Sequence, residues 1–370
     1  RRLVNRINRI NPKARIALIG CQAQIQKEKL TALPNVRWVI GNAHKSDFLS
    51  IFKNNEDPEA PQVITPMIPR DDFTIPVAGV DHRHTRANIK IQDGCNFFCS
   101  FCEIPYARGR ARSRTFSDIK REAQTLITAG HRELVITGIN VGTYKNDKKT
   151  IIDVIEDLEQ LNGLERIRIS SIEPTTIPPK LITKMAGVTK LCRHLHIPVQ
   201  SGNNQILKEM KRKYTVKQFG DYLQRIFDSV PQICIGTDVI VGFPGETEEH
   251  FEETVFNLRT WPVHYFHVFS YSQRHMAKSQ KLASRIPPNT IADRSQKLRE
   301  LSVRKRKLFY KSLLGTEQKV LFEQCKSGYW SGLTDNYARV KVQSDRALAN
   351  TFLEVSLTKQ DGPMIAGTIY

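Results

Sequence analysis

Nowhere in its 370 residues does the sequence hold an apolar run near the roughly 18 residues that a membrane-spanning helix needs. No basic segment leads into a short apolar stretch of the secretory kind either. A cytoplasmic protein with no membrane partner is the expectation. Acidic residues are in deficit, 37 Asp and Glu against 56 Lys and Arg, leaving a formal charge of +19. Net charge speaks only to non-specific attraction, so a polyanionic partner such as nucleic acid stands beside a merely basic enzyme. Cysteines are few and odd in number, seven in all. Without a secretion signal, that argues against a disulfide framework and for reduced thiols used as ligands. With 40% hydrophobic and 25% charged residues, the chain is long enough for two or three domains around a sizeable core. It opens at Arg1 inside what reads as a basic helix, from which a preceding segment is expected.

Patterning divides the chain. Residues 1–53 read as the C-terminal part of a small α/β domain: a basic helix over 1–10, a strand over 14–21, a helix from Gln24 and a strand at Trp38-Val39-Ile40-Gly41. Residues 54–84 are rich in Pro, Asp and Glu with little periodicity and read as a linker. Over 85–312, six strand-like runs (87–91, 133–137, 166–170, 194–199, 233–241, 264–269) alternate with helical segments (117–129, 150–160, 178–186, 216–229, 248–259). Parallel strands with helical crossovers make an open or barrel-like α/β sheet with helices outside and chemistry at the carboxyl ends of the strands. A trailing helix over 290–313 carries Arg304-Lys305-Arg306-Lys307, either a solvated face or an RNA contact. Residues 313–370 change to short alternating segments, the style of a small oligonucleotide-binding β-barrel.

The first of these six strands leads into Gly94-Cys95-Asn96-Phe97-Phe98-Cys99-Ser100-Phe101-Cys102. Three thiolates on one short loop can reach three irons of a single [4Fe-4S] cube and leave the fourth iron open. The amino and carboxylate groups of S-adenosylmethionine can chelate that iron, and electron transfer then yields a 5'-deoxyadenosyl radical. Zinc is the alternative, but it wants four closely placed ligands, and the nearest further candidates are His82 and His84. Phe101 holds the aromatic position that packs beside adenine in such enzymes, or else is ordinary loop packing. Cys192, His194 and His196 would share one strand face, a metal site or, as preferred, a polar barrel interior. Cys234 and Cys325 read as core filler.

The stretch from Lys90-Ile91-Gln92-Asp93-Gly94-Cys95-Asn96 through Ile104-Pro105-Tyr106-Ala107-Arg108-Gly109 to Arg112-Ser113-Arg114 resembles the methylthiotransferase family of radical S-adenosylmethionine (SAM) enzymes. Further blocks follow in the family's order: Thr137-Gly138-Ile139-Asn140-Val141-Gly142, Ser170-Ser171-Ile172-Glu173-Pro174, His194-Leu195-His196-Ile197-Pro198-Val199-Gln200-Ser201-Gly202 and Thr237-Asp238-Val239-Ile240-Val241-Gly242-Phe243-Pro244-Gly245-Glu246-Thr247. Within the family the likeness is greatest to enzymes acting on N6-threonylcarbamoyladenosine at position 37 of tRNA. Siblings acting on isopentenyladenosine-37 or on a ribosomal-protein aspartate are the first rival. A non-catalytic iron-sulfur RNA-binding protein is the second.

The resemblance implies an open (β/α)6 partial barrel of radical SAM type, a terminal RNA-binding TRAM domain and two [4Fe-4S] clusters. Cys95, Cys99 and Cys102 would hold the radical cluster. Cys21, in Ile19-Gly20-Cys21-Gln22-Ala23, matches the last ligand of the auxiliary cluster, whose two partner cysteines would lie upstream. SAM contacts are implied for Phe101, Thr137, Gly138, Asn140, Ser171, Glu173, Gln200, Asp238 and Val241. Arg108, Arg110, Arg112 and Arg114 could clamp the cofactor carboxylate or anticodon-loop phosphates. In the terminal domain, Lys319, Arg339 and Lys341, with Tyr329, Trp330 and Tyr337, suit single-stranded RNA. The implied reaction uses two SAM molecules, one methylating sulfur and one generating the radical at adenosine C2. An external electron donor and a monomer complete the expectation.

Overall fold

Apolar runs alternating with amphipathic helices fold, in the computed structural model, as parallel strands laid side by side. The structure describes residues 1–369 except 46, 55–57, 77–78 and 82. The chain divides into two units, one of Arg1–Asp71, Asp93–Arg112 and Arg274–Gln280, the other of Asp72–Gln92, Ser113–Gln273 and Lys281–Tyr370.

In the first unit, β1 (Ile16–Ile19), β2 (Val36–Ile40) and β3 (Gln62–Ile64) form a parallel sheet in that order. The Arg2–Ile10 helix buries Val4 with Ile16, Ala23, Val36 and Val39. β3 lies in the stretch expected to be linker. At three residues it is too short to show a period, and only pairing with β2 makes it a strand. The helix expected from Gln24 starts at Cys21 and breaks at Gln26 into a second one, Lys27–Thr31.

In the second unit, β4 (Arg86–Lys90), β5 (Glu133–Thr137) and β6 (Arg166–Ile169) pair in parallel, as do β7 (His194–His196), β8 (Cys234–Val241) and β9 (Tyr265–Ser270). A parallel bridge between Ile167 and Leu191 joins the two sets, so six strands follow one another in chain order. Both faces of most strands are buried, which explains their near-continuous apolar runs. The crossover helices fall within a residue or two of expectation; three start on capping boxes, Thr150 with Asp153, Thr215 with Gln218 and Thr247 with His250.

After the Pro288–Ser312 helix, β10 (Glu317–Lys326), β11 (Tyr329–Thr334), β12 (Arg339–Gln343), β13 (Phe352–Asp361) and β14 (Met364–Thr368) close a barrel in the order β10-β11-β12-β14-β13. It is antiparallel except for β12 with β14. Gly332 permits this closure, since a Cβ there would lie 2.1 Å from the Leu321 carbonyl oxygen. Arginines, Arg166 and Arg168 buried and Arg193 half-buried, tie this barrel to the parallel sheet. Arg166 donates to the Leu333 carbonyl (3.0 Å), Arg168 to those of Asp335 (2.9 Å) and Thr334 (3.1 Å), and Arg193 grips the Asp335 carboxylate at 2.7 and 3.0 Å.

Candidate functional site

The three-cysteine loop belongs to the first unit. Gly94 starts it at φ +71, where a Cβ would sit 2.0 Å from the Arg110 carbonyl oxygen, so only glycine fits. The Cys95 amide donates to Gly109 O (3.2 Å) and that of Cys102 to Cys99 O (3.0 Å). Two sulfurs receive backbone donors: Phe97 N–H to Cys95 Sγ and Ile104 N–H to Cys102 Sγ, both 3.4 Å. Segment 274–280 pins the loop, Ser279 N–H to Ser100 O at 2.8 Å and Met276 N–H to Glu103 Oε1 at 2.9 Å. Burial pushes the Cys102 thiol up to about 11; the Ile104 N–H opposes this, and negative charge on Cys99 and Cys95 adds to it. Thiols that raise one another's pKa need a positive centre to ionise together, and iron supplies one.

Three thiols on one loop are a donor set for an iron-sulfur cube, whereas a structural zinc takes four protein ligands. Among the described residues, His196, Asp238 and His267 are the group whose ligand atoms all lie within 4.8 Å of one another. Of zinc's suggested extra ligands, His84 is exposed beside Asp81, and His82 lies outside the described residues.

In the same unit Cys21 opens the Cys21–Ile25 helix. Its Sγ accepts from Asn42 Nδ2 (3.4 Å), which also donates to Ala107 O (2.6 Å). Arg108 lies against Cys21 and pairs with buried Asp93 (3.2 Å); burial works against its charge, and Asp93 and Cys21 more than restore it. Arg112 stands 3.9 Å from Asp93. Arg110 is exposed with its guanidinium over the Phe98 ring at 4.4 Å. Phe101 is half-buried in the loop.

Arg114, in the second unit, departs from the reading of a phosphate clamp. Its side chain is wholly buried, paired with Asp118 (2.6 Å) and Glu122, and so is withdrawn from any RNA. The acidic partners sit one and two turns into the following helix, a pattern legible only once that helix is placed.

The strand ends of the second unit carry the remaining candidates. Gln92, missed in the sequence, is buried, and its Oε1 accepts from the amides of Ile139 (3.0 Å) and Asn140 (2.8 Å). A polar residue ending an apolar strand was the available signal. Thr137 Oγ1 donates to Ile89 O (3.2 Å), and a Cβ on Gly138 would crowd Gln92 at 3.1 Å. Asn140 accepts from Thr176 Oγ1 (2.9 Å), while its buried Nδ2 has no partner among the described residues. Gln200 adopts φ +76 and bridges Asp238 O and Ile240 N through its backbone, both 2.9 Å. Glu173 meets Arg212 at 2.5 Å; burial raises its carboxyl, against the pull of Arg212. Val241 is wholly buried in the apolar core, which leaves only its backbone for a ligand.

Residues of five of the six strands, all but β8, line a cavity of about 520 Å³, Asn88, Arg168, His196 and His267 among them, together with Ser171 and Tyr337. His194 Nε2 meets Tyr265 Oη (2.8 Å), and its ring stacks on Tyr337, centroids 4.3 Å apart. Burial, then Arg168, holds His194 well below the usual imidazole range. His196 Nδ1 meets Ser171 Oγ (2.9 Å), and its Nε2 faces Asp238 Oδ1 (3.1 Å). Burial and then His196 depress His267, with Asp238 opposing. Cys192 lies just before the regular strand, which begins at His194, and is close to Arg168 and Glu133; burial pushes its thiol up to about 12.

In the terminal barrel, Lys319 pairs with Glu165 (2.7 Å) and Lys341 with Asp361 (2.7 Å), while Arg339 is exposed. Lys341 also lies over the exposed Tyr329 ring (5.0 Å). Cys234 is buried as expected, but Cys325 is exposed, on the part of β10 that runs past the buried Val320–Phe322 stretch.

Residues 89–258 match the Radical SAM superfamily model. The chain is 34% identical to threonylcarbamoyladenosine tRNA methylthiotransferase MtaB of Bacillus subtilis, over 99% of this chain and 83% of that one. It is 33% identical to tRNA-2-methylthio-N(6)-dimethylallyladenosine synthase of Desulfotalea psychrophila, over 89% of this chain and 76% of that one. Among solved structures, the radical S-adenosylmethionine methyltransferase TsrM of Kitasatospora setae superposes with TM-score 0.54 at 14% identity, over 72% of this chain and 57% of that one, a likeness of fold. Placed beside a loop that gathers three free thiols, these similarities mean that the chain belongs to the methylthiotransferase family of radical SAM enzymes.

Proposed function

We propose that this enzyme methylthiolates C2 of N6-threonylcarbamoyladenosine at position 37 of tRNA. The observation that carries the reading is the cysteine loop, whose three thiols are all free and two of which, Cys95 and Cys102, already hold backbone donors on sulfur. Relatives named for that substrate, similar along nearly the whole chain, support the choice of adenosine.

Cys95, Cys99 and Cys102 would hold a [4Fe-4S] cluster, and Cys21 is proposed as one ligand of a second. When bound, the clusters and SAM supply the 5'-deoxyadenosyl radical and the methylthio group, with electrons from an external donor. The protein binds and orients. Asn140, with its unclaimed Nδ2, Thr137, Gly138, Ser171 and Gln200 are proposed to take the polar groups of SAM, with Phe101 and the Val241 backbone along its adenine. Glu173 would act with Arg212 as a positioned pair, and Asp238 from the strand interior. The two N–H···S bonds lower charge on the thiolates, which eases reduction of the cluster they hold. Arg110, the most exposed cation of the loop, and Arg339, Lys319 and Lys341 of the terminal barrel, read as a TRAM domain, would meet RNA phosphates. The six strands read as a (β/α)6 partial barrel.

Nucleoside mass spectrometry tests the substrate. In cells lacking the native gene, this protein should restore 2-methylthio-N6-threonylcarbamoyladenosine, and Cys99→Ala should not. Restoration of the isopentenyl derivative instead would favour the sibling reading, which the 33% identity to a dimethylallyladenosine synthase keeps in view.

A further inference from the structure

Outside the cysteine loop, the described residues hold one cluster of metal-ligating side chains, of which only Asp238 has been given a part above. It comprises His196 on β7, Asp238 on β8 and His267 on β9, adjacent strands of the second unit. Their ligand atoms all lie within 4.8 Å of one another. The contact between His196 Nε2 and Asp238 Oδ1 is the informative one. The atoms are 3.1 Å apart, and His196 is buried at 8% exposure, yet Nε2 has no hydrogen bond of acceptable geometry. If Nδ1 carries the proton and donates it to Ser171 Oγ at 2.9 Å, Nε2 is left with a bare lone pair near a carboxylate oxygen. If Nε2 carries the proton, its N–H occupies that same direction and makes no acceptable hydrogen bond. Either way the pair is not an ordinary His–Asp hydrogen bond, and a cation is one partner that would engage both atoms.

We propose that His196, Asp238 and His267 form a binding site for one divalent first-row transition ion such as zinc. Two imidazoles and one carboxylate are a common ligand set for such ions. Ligand atoms held at about 2.1 Å from one metal are about 3.0 Å apart when cis and about 3.4 Å apart when tetrahedral. The 3.1 Å separation lies between these values. Ser171, which fixes the His196 ring through Nδ1, has the outer-sphere role that metal-bound histidines require. His267 is the most exposed of the three and has the freedom to close onto the ion. The site's open side gives onto the 520 Å³ cavity, where the ion's remaining positions would take water or an oxygen-bearing ligand. His194 is engaged through Nε2 by Tyr265.

The test uses the reconstituted, oxygen-free holoenzyme, dialysed against buffered zinc and analysed by mass spectrometry for iron and zinc together. Iron reports the cluster, so zinc that displaces it is recognised. One zinc per chain above full cluster iron is the expected result. His196→Ala and His267→Ala should abolish it with iron unchanged, while His275→Ala, at an exposed site, should keep it. Ser171→Ala should weaken zinc binding about 10–100-fold. Asp238→Asn, isosteric and uncharged, provides a variant in case an alanine variant fails to fold, and should also lose the ion. No zinc above the cluster iron, or zinc retained in both His196→Ala and His267→Ala, overturns the site. Because the readout is metal content, it stands apart from whether threonylcarbamoyladenosine is modified.

Discussion

Replacing Arg168 with methionine should be among the most damaging single changes available in the second unit. The side chain is almost fully buried at the floor of the cavity, with Nε 2.8 Å from Glu133 Oε1 and its other nitrogens on the carbonyls of Asp335 and Thr334. Glu133 is itself at 0% exposure, and its second oxygen has no hydrogen bond among the described residues, with Arg166 3.9 Å away. Removing the guanidinium therefore strands a buried carboxylate, which costs about 3–5 kcal/mol. It also orphans two carbonyls at roughly 1–3 kcal/mol each, partly offset by relaxation and water entry. Taking about 3–5 kcal/mol as the working figure, the melting temperature followed by circular dichroism should drop by roughly 6–20 °C, at about 2–4 °C per kcal/mol for a domain of this size. The double variant Arg168→Met/Glu133→Leu removes both charges and should recover most of the loss, leaving the share due to the carbonyls. A single variant that falls by less than about 1 kcal/mol would refute the reasoning. So would a double variant as unstable as the two single losses added together.

The remaining predictions concern the cluster, the pH dependence of stability and the terminal barrel. Cys99→Ala should lower bound iron and abolish 5'-deoxyadenosine formation under reducing, oxygen-free conditions, with circular dichroism unchanged. Burial pushes the Asp335 carboxyl up, and Arg193 more than offsets it, so its folded-state pKa lies below the ordinary value of 3.8. The stability it contributes is fully present above that value and is lost as pH falls below it, so Asp335→Asn should flatten the acid limb of melting temperature against pH. Lys305 behaves in the opposite sense. Burial drops it to about 8 from 10.5, so the unfolded chain binds more protons between those values and stability should gain a rising component as pH climbs through that window. Lys305→Met should remove that component. Gly332→Ala would push a methyl to 2.1 Å from the Leu321 carbonyl oxygen and should cost about 1–3 kcal/mol, read as a lower melting temperature.

The six strands and their crossover helices were legible because burial on both faces writes an apolar run and burial on one face writes a 3.6-residue period; β5 and the Val216–Ser229 helix fall where the pattern puts them. The cysteine loop was legible because its chemistry is local in sequence. What escaped depends on pairing across distance. Three-residue β3 becomes a strand only against β2, and Arg114 becomes a buried residue only once Asp118 and Glu122 wind round to meet it. A basic residue near a reactive loop therefore reads as an RNA contact until its acidic partners are placed.

The same limit bears on the inward-facing residues. Local alternation grouped Cys192 with His194 and His196, along one stretch of chain, whereas the structure groups His196 with Asp238 and His267, across three strands. Neighbouring parallel strands bring residues from distant positions to one level, and β8 puts Asp238 directly beside His267 in register. Polar side chains at that level cannot be explained by strand propensity, and desolvation makes them costly unless something engages them. Each of the two inward histidines meets half of that cost, His194 Nε2 with the Tyr265 hydroxyl and His196 Nδ1 with Ser171, and each leaves its other nitrogen without a hydrogen bond among the described residues. Only the unpartnered Nε2 of His196 faces further ligand atoms, Asp238 Oδ1 at 3.1 Å and His267 beside it, and that makes the interior of the strands a place to look for a bound ion.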